Sequence, residues 1–216
     1  MLFRVGAMGG FSSDKPILRL RRPDDVGEIR DLMVRVYPAP HGPEAIWSAE
    51  NLVRHMACFP EGQLVVEVGA RIVGTATAHR VPIVSALAPH TWSQITGRGT
   101  LSTHDPEGEA LYGVNIAVDP DWQGVGIGSL LYRARVDLAR RLDCRAFVAG
   151  ARIPGYHRVA YEMEPEAYVE AVVEGRIFDP TLSKQLRVGF QVRGVLRDYA
   201  PDVETLGHAA LIVLEL

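Results

Sequence analysis

The strongest hydrophobic pattern lies in the middle of the chain. Residues 110–118 are mostly apolar, and Pro120 ends this run because proline offers no N–H to a neighbouring strand. Beyond the run, apolar residues recur at helical spacing, at Ile127, Leu130, Leu131, Ala134, Leu138 and Leu142. The pattern predicts a buried strand that passes through a glycine-rich turn into a long amphipathic helix.

Shorter segments on either side show the same two periodicities. Runs rich in β-branched and apolar residues predict strands at 17–20, 63–68, 71–78, 145–150, 188–192 and 209–214. Gly69-Ala70 joins the second and third of these as a hairpin. Helices are predicted after Pro23, from about Pro43 and over about 165–173. Strands and helices therefore both contribute to the predicted core.

Composition limits the class of protein. With 216 residues, 47% hydrophobic and 23% charged, the chain suits one globular domain, predicted at 16–216 after a flexible tail at 1–15. A net charge of −3 argues against a nucleic-acid partner. No apolar run is long enough to span a membrane, so a cytoplasmic location is expected. Cys58 and Cys144 make no disulfide framework and are predicted to be free thiols.

The turn before the central helix has the composition of a phosphate site. The start of a helix carries unpaired N–H groups and partial positive charge, and Gly124, Gly126 and Gly128 would let an anionic diphosphate approach them. Ser129 stands where a P-loop needs lysine, and the glycine spacing differs from that of dinucleotide-binding turns. A tight structural turn is the alternative, but it accounts for only one of the three glycines.

A Val-Asp-Pro strand end followed by Gln-x-x-Gly-x-Gly, at 118–128, resembles the acetyl-CoA-binding motif of the GNAT acyltransferase superfamily. The resemblance implies an α/β (α+β) fold, in which helices flank a mixed, mostly antiparallel sheet and the two central strands split apart around pantetheine. It implies acetyl-CoA as co-substrate and no metal. The contacts carried over from the motif are Val118, Gln123, Gly124, Val125, Gly126, Gly128 and Ser129.

The resemblance also implies that a primary amine of a small molecule or peptide attacks the thioester directly. Two positions depart from the family's catalytic pattern, because Gln185 stands at the thiolate acid and Tyr112 at the central-strand glutamate. The catalytic candidates are therefore Tyr112 as thiolate acid, Glu109 as base through water, and Asn115 as donor to the carbonyl. A core aromatic, an exposed strand-end carboxylate and a buried amide are the respective structural alternatives.

Side-chain alternation places Tyr112 on the same face of its strand as Val114, Ile116 and Val118.

Weaker candidates for catalysis, without a visible partner in the sequence, are His79, His104, His157, Tyr156 and Tyr161. His55 and Cys58 have a spacing that suggests a metal, but no second ligand pair accompanies them, so a packed helix face is predicted.

Two long connections, 82–108 and 151–185, are expected to determine acceptor specificity, and the first is predicted to be largely without regular structure. The second resembles GNAT domains attached to carbon-nitrogen hydrolases. Two alternatives to an active acetyltransferase follow: a catalytically silent acyl-CoA-binding module, and a regulatory partner of an amide hydrolase. The sequence is compatible with a homodimer.

Overall fold

One mixed sheet organises the molecule. The computed structural model describes residues 15–38 and 46–216. In this part of the chain the strands are β1 (Ile17–Leu20), β2 (Gln63–Val68), β3 (Arg71–Val81), β4 (Ala110–Val118), β5 (Ala146–Arg152), β6 (Gln191–Leu196) and β7 (Ala209–Glu215). They lie in the order β1-β2-β3-β4-β5-β7-β6. The strands predicted before residue 151, and the last strand, are confirmed with small differences at their ends.

The two central strands separate part-way along their length. β4 and β5 are parallel, whereas the other neighbouring pairs among the described strands are antiparallel. Pairing between β4 and β5 ends at Gly113 and Ala149. Beyond that point β4 stays with β3, and β5 stays with β7. The sheet therefore contains the split predicted from the family resemblance, and the predicted fold class is confirmed.

Helices cover both faces of the sheet. Within the described residues they are α1 (Val26–Val36), α2 (Ala49–Cys58), α3 (Ile83–Leu87), α4 (Trp92–Ile95), α5 (Ile127–Arg141), α6 (Pro165–Val173) and α7 (Leu182–Val188). On one face, Leu32 of α1 is buried in a cluster with Tyr112. On the other face, Leu138 of α5 and Leu182 of α7 are buried with Phe147. The split lies between these two helical layers.

A bulge in β4 reverses the faces of the residues that follow it. The register with β3 shifts by one residue, so that Val114 is an extra residue in β4. Because side chains alternate along a strand, one added residue exchanges the two faces from that point onward. Ile116 and Val118 consequently pack with α5, away from the cluster that contains Tyr112. The prediction that these two residues share a face with Tyr112 is wrong.

Three other boundaries differ from the sequence-based prediction. The strand predicted at 188–192 begins at Gln191, because α7 runs to Val188 and Gly189 ends it in a left-handed conformation with φ of 110°. The helix predicted from about Pro43 starts outside the described residues, and α2 begins at Ala49. The connection 82–108 is largely irregular, as predicted, but it contains two short helices, α3 and α4, which the sequence did not predict.

Candidate active site

The glycine-rich turn has the backbone geometry that its motif predicts. Gly124 and Gly126 are left-handed, with φ of 78° and 97°, a conformation that residues with a side chain rarely adopt. A Cβ atom added to either glycine would meet no other atom within 4 Å. The space beside the turn is therefore open to a ligand. Exposed Gln123 lies at the turn, and its amide donates to the Val118 carbonyl at 3.2 Å.

Helix α5 begins at this turn. Gly126 is its N-cap residue, and the Gly126 carbonyl accepts a hydrogen bond from the Leu130 N–H at 2.9 Å. The N–H groups of the next three residues, Ile127, Gly128 and Ser129, have no partner within the helix, and the helix dipole adds partial positive charge there. Of the predicted contact residues, Gly126, Gly128 and Ser129 thus lie at the start of α5, which is suited to hold a diphosphate, whereas 123–125 lie in the turn before it and Val118 ends β4.

The base of the turn is anchored by Asp119, whose side chain is 1% exposed. Its Oδ2 accepts from Arg35 Nε of α1 at 2.9 Å and from Arg71 Nη2 of β3 at 2.7 Å. Its Oδ1 accepts from the Asp121 N–H at 3.1 Å. Burial would raise the pKa of Asp119, but these hydrogen bonds and charges outweigh it and lower the pKa. The anionic form therefore ties the turn to both α1 and β3.

Asn115 lies inside the split, just beyond the bulge. Its Nδ2 donates to the Tyr37 phenol oxygen at 3.4 Å, and its Oδ1 is buried with no partner among the described residues. Arg152, at the end of β5, is paired with Asp202 at 2.6 Å and Glu204 at 2.8 Å. Burial raises the pKa of Tyr37, although Arg152 and Asn115 act in the opposite direction. These groups line the α1 side of the split.

A polar group on the opposite side of the split consists of Tyr132, Arg135 and Gln185. Of these the sequence singled out only Gln185, as a departure from the family's catalytic pattern. Tyr132 and Arg135 belong to α5, and Gln185 belongs to α7. The Gln185 amide donates to the Tyr132 phenol oxygen at 2.7 Å. Arg135 is 2% exposed, and its Cζ lies 4.7 Å from the centroid of the Tyr132 ring. Arg135 stands four positions after Leu131 on the apolar stripe of α5, and this charge among apolar positions was the signal that could have identified the polar group.

Tyr112 lies before the split and is fully buried. Its phenol oxygen lies 2.7 Å from His90 Nε2 and 3.0 Å from the Tyr199 hydroxyl. Burial, with a smaller contribution from Tyr199, raises the pKa of Tyr112 well above its usual value near 10. This placement suits a core hydrogen-bond network, and a role as thiolate acid stays a prediction without support from the geometry.

Glu109 is exposed immediately before β4, at the end opposite the glycine turn. Its Oε1 lies 3.7 Å from Arg145 Nη1, and its Oε2 accepts from the Ile83 N–H at 3.4 Å. Six residues at a strand rise of about 3.3 Å separate it from Asn115 by roughly 20 Å along β4. Glu109 is therefore poorly placed to act through one water, although its role as base stays a prediction.

The other candidate side chains are dispersed. His79 is fully buried, and burial lowers its pKa to about 3. His104 stacks on Phe59 with ring centroids 4.8 Å apart, and His157 Nδ1 lies 2.8 Å from the Pro154 carbonyl oxygen. Tyr156 is buried, whereas Tyr161 is 81% exposed. His55 is buried, with Nε2 2.7 Å from the Gly99 carbonyl oxygen.

In the described ranges no three His, Cys, Asp or Glu side chains form a metal-binding group. No helix in those ranges has the length and apolar character needed to cross a bilayer.

Known proteins share this fold and sequence pattern. The model of the acetyltransferase (GNAT) family matches residues 26–161. This chain belongs to the GNAT acetyltransferase family. YkwB of Bacillus subtilis (strain 168), named an uncharacterized N-acetyltransferase, is 36% identical over 188 residues, which cover 87% of this chain and 83% of YkwB. The predicted family and enzyme class, GNAT N-acetyltransferase, are thereby confirmed.

Two other similar proteins carry different names, and one of them is much longer than this chain. The probable hydrolase YhcX of the same strain is 38% identical over 188 residues, and the matched region covers 87% of this chain but 36% of YhcX. This chain therefore spans about a third of that relative. A solved structure named GphF GNAT-like decarboxylase in complex with isobutyryl-CoA is 30% identical, with a TM-score of 0.76 over 92% of this chain and 98% of that chain. The resemblance to hydrolase-associated GNAT domains is consistent with YhcX.

Proposed function

We propose that this chain transfers an acetyl group from acetyl-CoA to a primary amine of a small molecule or peptide. One structural relationship carries the proposal: β4, which ends in the glycine turn, is the strand that separates from its parallel neighbour after Gly113. A diphosphate at the start of α5 and a pantetheine arm in the split would therefore belong to one continuous ligand. The left-handed Gly124 and Gly126 keep the approach to the turn free of side chains.

Acetyl-CoA supplies the activated acyl group, and this chain supplies its orientation. Residues 123–129 would hold the diphosphate through main-chain N–H groups. Asn115 would donate its amide N–H to the thioester carbonyl, where negative charge develops during attack. Tyr37 and Arg152 line the same side of the split, so the amine is expected to approach from the α1 side. Direct attack requires no covalent bond to the enzyme, and the released proton can pass to water.

Calorimetric titration with acetyl-CoA and CoA, followed by a thiol-release assay over pooled primary amines, tests the proposal. Micromolar binding with amine-dependent thiol release is expected. Binding without release over a broad set of amines would favour the catalytically silent acyl-CoA-binding module instead. Absence of binding would overturn the assignment of the glycine turn as a CoA site.

A second candidate is the loss of carbon dioxide from a CoA thioester whose acyl group carries a carboxylate. It is favoured by the 30% identity to the GNAT-like decarboxylase over 92% of this chain, and by the buried cation of Arg135 beside the split. Malonyl-CoA is a suitable probe, because its conversion to acetyl-CoA without an amine is visible by mass spectrometry. Turnover of malonyl-CoA, but not of acetyl-CoA with amines, would replace the first proposal.

We propose further that residues 16–216 act as one domain in the cytoplasm, either alone or beside an amide hydrolase. The similarity to YhcX, named a probable hydrolase and longer than this chain, motivates the hydrolase partner. Copurification of such an enzyme with this chain would support that association. Size-exclusion chromatography with light scattering would measure whether the chain itself forms a homodimer.

A further inference from the structure

Arg135 carries a buried charge without an acidic partner. Its side chain is 2% exposed, and no ion pair joins it to a carboxylate in the part of the chain that the structure describes. Nε and Nη1 make long contacts, to the Leu131 carbonyl at 3.4 Å and the Asn115 carbonyl at 3.5 Å, and the neutral Tyr132 phenol also interacts with the guanidinium. Nη2 is buried with no partner among the described residues. Burial of an unpaired ion costs several kcal/mol, so an anionic ligand is expected here.

The guanidinium lies where the central strands begin to separate. Gly113 is the last β4 residue paired with β5, and Arg135 Nη1 would lie 3.3 Å from a Cβ atom added there. The contact to the Asn115 carbonyl lies just beyond, inside the split. On the β5 side, Arg135 Cζ is 5.1 Å from the centroid of the Phe147 ring. The cation is therefore at the inner end of the opening that pantetheine would occupy, where its sulfur would arrive.

Tyr132 brings a second donor to the same place. Its ring lies 4.7 Å from Arg135 Cζ, and its phenol oxygen accepts the Gln185 amide at 2.7 Å. Since Gln185 is the donor in that bond, the Tyr132 O–H hydrogen is left for another acceptor. Two donors, one of them cationic, therefore meet beside the inner end of the split.

We propose that Arg135 and Tyr132 form a thiolate-binding site for CoA, which holds the sulfur as an anion when it leaves the acyl group. The site deepens the proposed function and depends on it. The amine nitrogen forms a bond to the thioester carbonyl carbon, and the carbon–sulfur bond breaks with its electron pair on sulfur. The amine loses its proton to water, and the thiolate takes a proton from water on release. A guanidinium stays protonated in proteins, so this step needs no acid at the position of Gln185.

Ultraviolet titration of CoA bound to the protein tests the proposal, because a thiolate absorbs where a thiol does not. In the wild type the pKa of the bound thiol is expected to lie about one to three units below that of free CoA, as for an ionisable group beside an opposite charge. Arg135→Met removes the cation at similar volume and should abolish most of this shift. Arg140→Met, at an exposed arginine of the same helix, should retain it.

The possible failures can be distinguished. An unshifted thiol pKa in wild-type protein that binds CoA would overturn the thiolate site and leave the proposed function standing, whereas absence of CoA binding would overturn both. Should Arg135→Met not fold, Tyr132→Phe keeps the ring, and loss of part of the shift in that variant supports the site while an unchanged shift overturns it. If malonyl-CoA binds more tightly than acetyl-CoA and the CoA thiol is unshifted, the anion is the acyl carboxylate and the thiolate proposal is wrong.

Discussion

The Gln185 amide nitrogen lies 2.7 Å from the Tyr132 phenol oxygen, and this hydrogen bond joins α7 to α5 beside the split in the sheet. The family resemblance places Gln185 at the position of the thiolate acid, and in the structure its amide contacts a phenol on another helix instead. Because the bond sets the direction of the Tyr132 O–H, Gln185→Ala should lower kcat about 3- to 10-fold, the equivalent of one hydrogen bond. Steady-state kinetics check this, with exposed Lys184→Ala as the control. Equal kinetics in both variants would contradict an orienting role.

Loss of the Asn115 side chain is expected to lower kcat much more than it lowers the affinity for acetyl-CoA. Loss of one donor to a developing oxyanion lowers kcat on the order of 100-fold, and Asn115→Ala should approach that value. Calorimetry should show acetyl-CoA affinity within about twofold of wild type. Tyr37→Phe is the matched variant, because it removes the hydroxyl bonded to Asn115 at 3.4 Å and keeps the amide. Parallel losses of affinity and kcat in Asn115→Ala would indicate a structural role instead.

Valine substitutions at two left-handed glycines distinguish the effect of backbone strain from the effect of a side chain on ligand binding. Gly126, with φ of 97°, lies in the glycine turn, and Gly175, with φ of 76°, lies after α6. An added Cβ meets nothing within 4 Å at either position. Valine at either position should lower the free energy of unfolding by about 2 kcal/mol. Only Gly126→Val should also weaken acetyl-CoA binding, by about tenfold or more, because its side chain enters the space beside the turn.

Calorimetry and urea unfolding on both valine variants measure these effects. The folded fraction of each variant is kept above nine tenths in the binding assay, so that unfolding does not mimic weak affinity. Unchanged acetyl-CoA affinity in Gly126→Val, or equal weakening in Gly175→Val, would argue against a diphosphate site at the turn.

Two buried histidines should make stability depend on pH. Burial lowers the pKa of His79 to about 3 and of His55 to about 4 in the folded state, and both are fully buried. In the unfolded chain a histidine has a pKa of about 6.5. Between these values the unfolded chain binds protons that the folded protein does not, so the free energy of unfolding falls as the pH falls below about 6.5. The loss by pH 4 is on the order of 3 kcal/mol for each histidine.

Urea unfolding at a series of pH values measures this loss. His79→Leu should remove the contribution of His79, and it should be neutral or stabilising at pH 7, because both ring nitrogens of His79 are buried without a partner in the described residues. Exposed His157→Leu serves as the control and should keep the pH dependence of the wild type. A wild-type stability that is flat between pH 7 and pH 4.5 would contradict the neutral buried state.

Most elements and the glycine turn could be predicted from the sequence, because each depends on neighbours along the chain. The strand 110–118 and the helix from Ile127 follow from hydrophobic periodicity, and the positive φ of Gly126 follows from glycine at a sharp helix start. The strand predicted from 188 started too early, since Gly189 ends a helix there and the apolar run alone did not show it. Hydrophobic periodicity therefore predicts that an element exists more reliably than it predicts the residues at which the element begins and ends.

The sequence by itself determined the family, the order of the elements and the residues of the turn, since these depend on local spacing and on a contiguous motif. The tertiary structure decided which side chains meet in the split. One extra residue at Val114 exchanged the faces of β4 and carried Ile116 away from the Tyr112 side. Packing of α5 against α7 brought Tyr132 and Gln185 together over 53 residues of chain. Such contacts depend on register and on packing between distant segments, which no local pattern records.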